Sequence, residues 1–182
     1  MDNPKRYKIE ERIGYEIRTL LVMMFIVVVQ KIIVVTWVGW AVNLVLLLVV
    51  LRVLIEPITT VLRWAVYGGL LLDLTSGSRL GVHSISLITA ISVVYVLLSR
   101  ITSESWVLPI VAVVLGGTIY YISNGVMLLV QYGGYDVLTY IAAVALPEML
   151  VIVIPALPVF LVLRWLRSIR RGELPLEDRK ST

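Results

Sequence analysis

Residues 68–86, GGLLLDLTSGSRLGVHSIS, hold a cluster of side chains that could do chemistry in a chain otherwise dominated by Val, Leu and Ile. Asp73 can accept several hydrogen bonds or carry a proton, and Ser76, Ser78 and Ser84 can donate, accept or act as nucleophiles. His83, the single histidine of the sequence, belongs to the residue type whose charge changes nearest neutral pH. Gly77 and Gly81 permit positive φ or close approach of the backbone. Four kinds of chemistry are open to such a set. It can form a structural loop in which Asp73 bonds loop amides or Arg79. It can line a small-molecule pocket, supply a serine–histidine hydrolytic pair, or provide a stage in a proton or ion path.

Which of these applies depends on the surrounding solvent. Of the 182 residues 59% are hydrophobic, the mean hydropathy is +0.96, and a soluble globule of this size could not bury so much apolar side chain. Several runs approach the roughly 20 residues that cross a bilayer. The expectation is an all-α integral membrane protein with a retained first span, because the N-terminus MDNPKRYKIEERIGYEIR mixes acids with bases and leads into no small-residue cleavage site. The absence of cysteine excludes disulfides, thiolate nucleophiles and thiolate metal sites.

Hydropathy and chain breakers predict six spans, at about 19–36, 38–55, 58–74, 82–98, 106–130 and 137–166. Residues 1–18 read as a cytoplasmic amphipathic segment, with Ile9, Ile13, Ile17, Leu20 and Leu21 at helical spacing. Residues 19–166 form the transmembrane domain, and 167–182 a basic cytoplasmic tail. Of the 16 lysines and arginines all but Lys31 and Arg79 fall on the side of the termini, so both ends face the cytoplasm by the positive-inside rule. Trp37, Trp40, Tyr132 and Tyr135 then mark the outer boundary, and the Asp73 segment lies at the outer face between the third and fourth spans.

That placement weighs on the four chemistries. A charge at mid-bilayer costs about 2.5–3.5 kcal/mol on insertion scales, a penalty that Asp73 largely avoids at a helix end. Intramembrane serine hydrolysis draws nucleophile and base from separate helices, whereas His83 is a sequence neighbour of every candidate serine. An ion path needs polar groups at several depths, and few exist. Glu148, after Pro147, is the one carboxylate well inside a span; it pairs with a polar group on a facing helix or with a carbonyl freed by Pro155, unless it is functional. Asn124 and Gly125 interrupt the fifth span. Gln30, Asn43 and Asn124 read as hydrogen-bonding glue between helices, and Gly68, Gly69, Gly116 and Gly117 as places of close helix approach. Pro155 and Pro158 should kink the last helix.

The stretch GLLLDLTSGSRLGVHSIS, a glycine ahead of LLLD and then D-x-x-x-G-x-x-x-G leading into a short helix, resembles the signature segment of the rod shape-determining MreD family. The chain length, the six-span layout and the closing P…PVFLVLRWLR are also similar to that family. Gly69, Asp73, Gly77, Gly81 and His83 fall on motif positions, with Ser76 inside the same loop; Glu148 is outside the pattern. The resemblance implies a six-helix fold similar to the substrate-binding subunits of energy-coupling-factor vitamin transporters. It implies a non-enzymatic inner-membrane scaffold of the bacterial elongation machinery, without cofactor, metal or nucleic acid. The implied partner is the single-span protein MreC, and through it RodA, its class B transpeptidase and MreB. The fold likeness also admits a vitamin-binding subunit. A vitamin pocket needs convergent polar or aromatic groups, whereas Val, Leu and Ile dominate the outer halves here, so the scaffold is the expected function. Gly68, Gly116, Gly117, Asn124 and Glu148 are the expected packing or interface positions.

Overall fold

The computed structural model describes residues 4–34, 42–98, 107–134 and 136–171. The TWVGW joint with Trp37 and Trp40, Tyr135, and the tail beyond residue 171 lie outside them. The described residues are helical, with no strand among them. Helix α1, Pro4–Val29, runs directly into one π-helical turn, Gln30–Val34. The expected surface helix and first span are therefore one uninterrupted rod, as the absence of proline between residues 5 and 34 allows. Helix α2 is Leu44–Val53, α3 Ile58–Ser76, α4 Val82–Leu98 and α5 Leu108–Tyr132. The remainder is α6, Val137–Tyr140, a second π-helical turn Ile141–Ala145, α7, Leu146–Val153, and α8, Ala156–Arg171.

Helix α2 is the centre of the structure. Its sequence LVLLLVVLRV is apolar on nearly every face, which a helix can satisfy only by being surrounded. It packs against α1, α3, α4, α5 and α8, and Val45, Leu46, Leu47, Val49, Val50 and Leu51 are almost completely buried. Residues 38–41 of the expected second span, about 38–55, lie outside the described residues; within the rest the helix is these ten residues, roughly 15 Å of rise and half a hydrocarbon core. Helices α3 and α4 form a hairpin around it, and α4 also packs along α5.

Close packing of that hairpin depends on glycine. A Cβ added at Gly69 would lie 2.3 Å from Ser84 Cα and 2.6 Å from Ser84 N, so α3 and α4 touch backbone to backbone. At Gly68 it would meet Val45 Cγ1 at 2.5 Å, and at Gly116 it would meet Val50 Cγ2 at 2.7 Å. Gly117 is different, because its nearest neighbour would be the Met149 methyl at an ordinary 3.5 Å.

Among the described residues two helices are long and apolar enough to cross a membrane by themselves, Ile13–Ile32 and Leu108–Gln131. A third crossing arises if Leu138–Val153 and Ala156–Leu166, bent by 53°, count as one span. The break falls at Pro155, which has no N–H for the helical ladder and whose ring crowds the preceding turn. Asn124 and Gly125, expected to interrupt the fifth span, do not: α5 continues through both, since the Asn124 side chain bonds Tyr140 instead of its own backbone.

Two glycine substitutions should move stability in opposite directions. Gly69→Ala should cost about 2–3 kcal/mol, because a rigid backbone contact must open. Gly117→Ala should be neutral or stabilising by up to about 1 kcal/mol, since it adds only helix propensity. Thermal unfolding of the two variants in detergent checks the contrast.

Candidate functional site

The α3–α4 loop closes around one carboxylate. Helix α3 ends at Gly77 in the left-handed conformation, φ +69°, and Gly81 has φ +100°, values that a side-chain-bearing residue rarely adopts. The chain thereby folds back over Asp73, which is only 1% exposed. Its Oδ2 accepts from the Gly81 N–H at 2.7 Å and, weakly, from Ser84 Oγ at 3.5 Å. Its Oδ1 accepts from the His83 N–H at 2.9 Å and from Ser78 Oγ at 3.1 Å. The carboxylate is thus sealed from water yet fully hydrogen-bonded, the condition under which burying a charge is tolerable. Of the two expected partners, loop amides take this role; Arg79 forms no ion pair with Asp73.

His83 starts a second network that leads into the core. Its Nδ1 lies 2.7 Å from Tyr120 Oη on α5, and the two rings stack at 6.1 Å. Tyr120 Oη also accepts from Asn43 Nδ2 at 3.0 Å. The Asn43 amide is oriented by its Oδ1, which accepts the Leu46 N–H at 2.9 Å and caps α2. Gln30 Oε1 in the first π-helical turn takes the Leu44 N–H at 2.9 Å. Donor directions follow from this order. Tyr120 receives from Asn43 and so gives its proton to His83 Nδ1, which leaves Nε2 as the donor to Ser76 Oγ at 3.1 Å. Ser76 Oγ in turn donates to the Leu72 carbonyl. The N–H groups of Leu44, Val45 and Leu46 at the start of the buried α2 and both ring nitrogens of His83 have partners.

The pairing of Ser76 with His83 has the distance of a nucleophile and base but not the polarity. The serine proton is committed to Leu72, the imidazole presents a donor, and the amides of Gly81 and His83 that could hold an oxyanion are bound to Asp73. The arrangement holds a loop and anchors helices.

A separate polar group lies beside this network. Tyr121 Oη donates to Glu148 Oε2 on α7, and Asn124 Nδ2 donates to Tyr140 Oη at 3.1 Å. Tyr121 and Tyr140 stand in the wall of an apolar groove of about 340 Å³ between α5 and the second π-helical turn with α7. Its rim carries Ile122, Val126, Ile141 and Leu146, all exposed, and its floor Ala145 and Met149.

The sequence-derived positions therefore divide. Gly69, Asp73, Ser76, Gly77, Gly81 and His83 converge on the loop, with Gly69 supplying the α3–α4 contact beneath it. Gly68 and Gly116 pack against α2, while Gly117, Asn124 and Glu148 lie beside the groove and belong to a different cluster. Tyr120, Tyr121 and Tyr140 escaped sequence reasoning. Their signal was available, since a phenol in the middle of an apolar helix requires a polar partner. Comparison with protein-family models, with curated proteins and with solved structures finds no match to this chain.

Asp73→Asn retains the shape but turns an N–H₂ toward a backbone donor, and should cost about 2–4 kcal/mol. Amide exchange at Gly81 and His83 should accelerate with it; unaltered melting and exchange would show that the carboxylate does not hold the loop. Tyr120→Phe leaves Asn43 Nδ2 without its acceptor and should cost about 1–2 kcal/mol, measured by thermal unfolding in detergent.

Proposed function

We propose that this chain is a non-enzymatic scaffold of the bacterial rod-shape complex, similar to the MreD family, that binds the single-span protein MreC and helps organise lateral-wall peptidoglycan synthesis. RodA, its class B transpeptidase and MreB are reached through that partner. In this reading α1, α2, α3, α4, α5 and the bent α6–α8 unit are six membrane segments, and both termini lie on the cytoplasmic side of the inner membrane. Short α2 then lies within the protein interior at membrane depth, surrounded by the other segments.

The observation that carries the reading is the state of the signature aspartate. Its acceptor capacity is taken up by Gly81, His83, Ser78 and Ser84, so the loop supplies rigidity instead of a ligand or a mobile proton. The space left open beside α5 is apolar. The groove beside α5 has the character that a transmembrane helix can fill by van der Waals packing, with Gly125 and Ala145 admitting close approach. A vitamin site would want several unsatisfied polar groups converging on one cavity, and the loop network is internally saturated.

Ile122 and Leu146 line the groove and are 61% and 53% exposed, so Ile122→Trp and Leu146→Trp should fill it without disturbing the core. Co-purified MreC should fall about tenfold or more in each variant, the scale of losing an interface hot spot, with yield and melting unchanged. Pairing equal to the parent protein in both variants would remove the groove as the seat of the partner. Submicromolar vitamin binding by calorimetry would replace the scaffold with a transporter subunit.

A further inference from the structure

Opposite the Asp73 loop, helices α1, α2 and α3 enclose a cavity of about 200 Å³ lined by Tyr15, Arg18, Thr19, Val22, Arg52 and Trp64. Arg52 is held in place there. Its guanidinium carbon lies 3.5 Å from the centroid of the Trp64 ring, and its Nη1 ion-pairs Glu56 at 3.2 Å. Arg18 lies over the Tyr15 ring at 5.6 Å and meets no carboxylate among the described residues. Neighbouring Glu16 is already engaged, accepting from Arg63 Nη1 and Tyr67 Oη at 2.9 Å each. The two arginines and Glu56 leave the cavity with a net positive charge.

Trp64, 5% exposed, closes the inner wall of the cavity with its ring against the Arg52 guanidinium. Arginine nitrogens are donors only, so the matching ligand is rich in acceptors and anionic. Phosphate oxygens fit that description, and the arginine fork binds them well. The cavity is also graded in polarity. Val22, one turn beyond Arg18, lines it and stands 40% exposed, and Met24 and Phe25 continue the exposed apolar face of α1 at 51% and 69%.

We propose that this cavity binds the phosphate of an anionic phospholipid headgroup, with the first methylenes of the acyl chains lying along Val22 and Phe25. Arg18 makes the charge-assisted contact, and Arg52, held on the Trp64 ring, supplies the fixed positive field. A headgroup carrying its own cation would bring that charge toward two arginines, so a net anionic lipid is selected over a zwitterionic one. Free phosphate shares the acceptor chemistry but leaves the apolar side of the cavity unmatched. The site is independent of the proposed partner and would persist if that reading failed.

Full-length purified protein is titrated with phosphatidylglycerol and with phosphatidylcholine of matched acyl chains, and bound lipid is read by native mass spectrometry. Both lipids offer the phosphate, and phosphatidylglycerol should bind about tenfold more tightly because choline brings a cation against the two arginines. Arg18 is exposed, so Arg18→Gln should fold normally and abolish the preference. Lys31→Gln, in the π-helical turn that follows α1, should preserve it. Equal binding of the two lipids, or a preference that survives Arg18→Gln, would overturn the proposal. Millimolar sodium phosphate should fail to displace phosphatidylglycerol; displacement with the same dependence on Arg18 would reassign the cavity to free phosphate.

Discussion

A backbone N–H or C=O buried in an apolar interior without a partner costs several kcal/mol. The structure depends on meeting that demand at the two places where helices begin and end inside the bundle. At the first, α2 starts in the interior, and the side-chain oxygens of Gln30 and Asn43 take the N–H groups of Leu44 and Leu46. At the second, the chain leaves α3 and re-enters as α4, and Asp73 gathers the amides of Gly81 and His83. Tyr120 joins the two solutions through Asn43 on one side and His83 on the other. A helix cap and a loop closure that are distant in sequence become one hydrogen-bonded unit.

This economy explains why the chemically capable residues are not chemically free. Aspartate, serine and histidine in proximity suggest catalysis or proton transfer when read as types. Their reactive atoms are instead committed to backbone and to each other, and the amides that could stabilise a developing negative charge are already engaged. The glycines support the same end. Gly69 brings α3 against the backbone of α4 at Ser84, which places the start of α4 where Asp73 can reach it. Gly77 and Gly81 provide the left-handed turns that return the chain over the carboxylate.

The two ends of the bundle carry different electrostatics because α2 separates them with apolar side chains. At one end the polar network is saturated and includes one buried carboxylate. At the other, Arg52 sits on Trp64 and Arg18 faces a cavity continuous with the apolar exterior of α1. Beside the first of these ends the broken α6–α8 unit produces the groove along α5. Pro155 bends it, the π-helical turn at Ile141–Ala145 widens the local winding, and the Tyr121–Glu148 hydrogen bond ties α5 to α7 within that geometry.

Composition and the length of the apolar runs indicated helices suited to an apolar solvent, because a globule of this size in water could not hide so many Val, Leu and Ile side chains. Local sequence also located the helix breaks at Pro57, Gly77–Gly81 and Pro155, since proline and glycine act through their own backbone restrictions. It identified Asp73 and the loop glycines as one unit for the same reason, as they are neighbours along the chain. Tertiary structure decided the rest. Hydropathy gave α2 the same status as any other apolar run, and only its neighbours make it a short, enclosed core helix. The partnership of His83 with Tyr120, of Glu148 with Tyr121, and of Arg52 with Trp64 joins residues whose separation carries no periodic signal. A hydrogen bond or ring contact depends on where helices cross, and helix crossing is set by side-chain packing across the whole bundle.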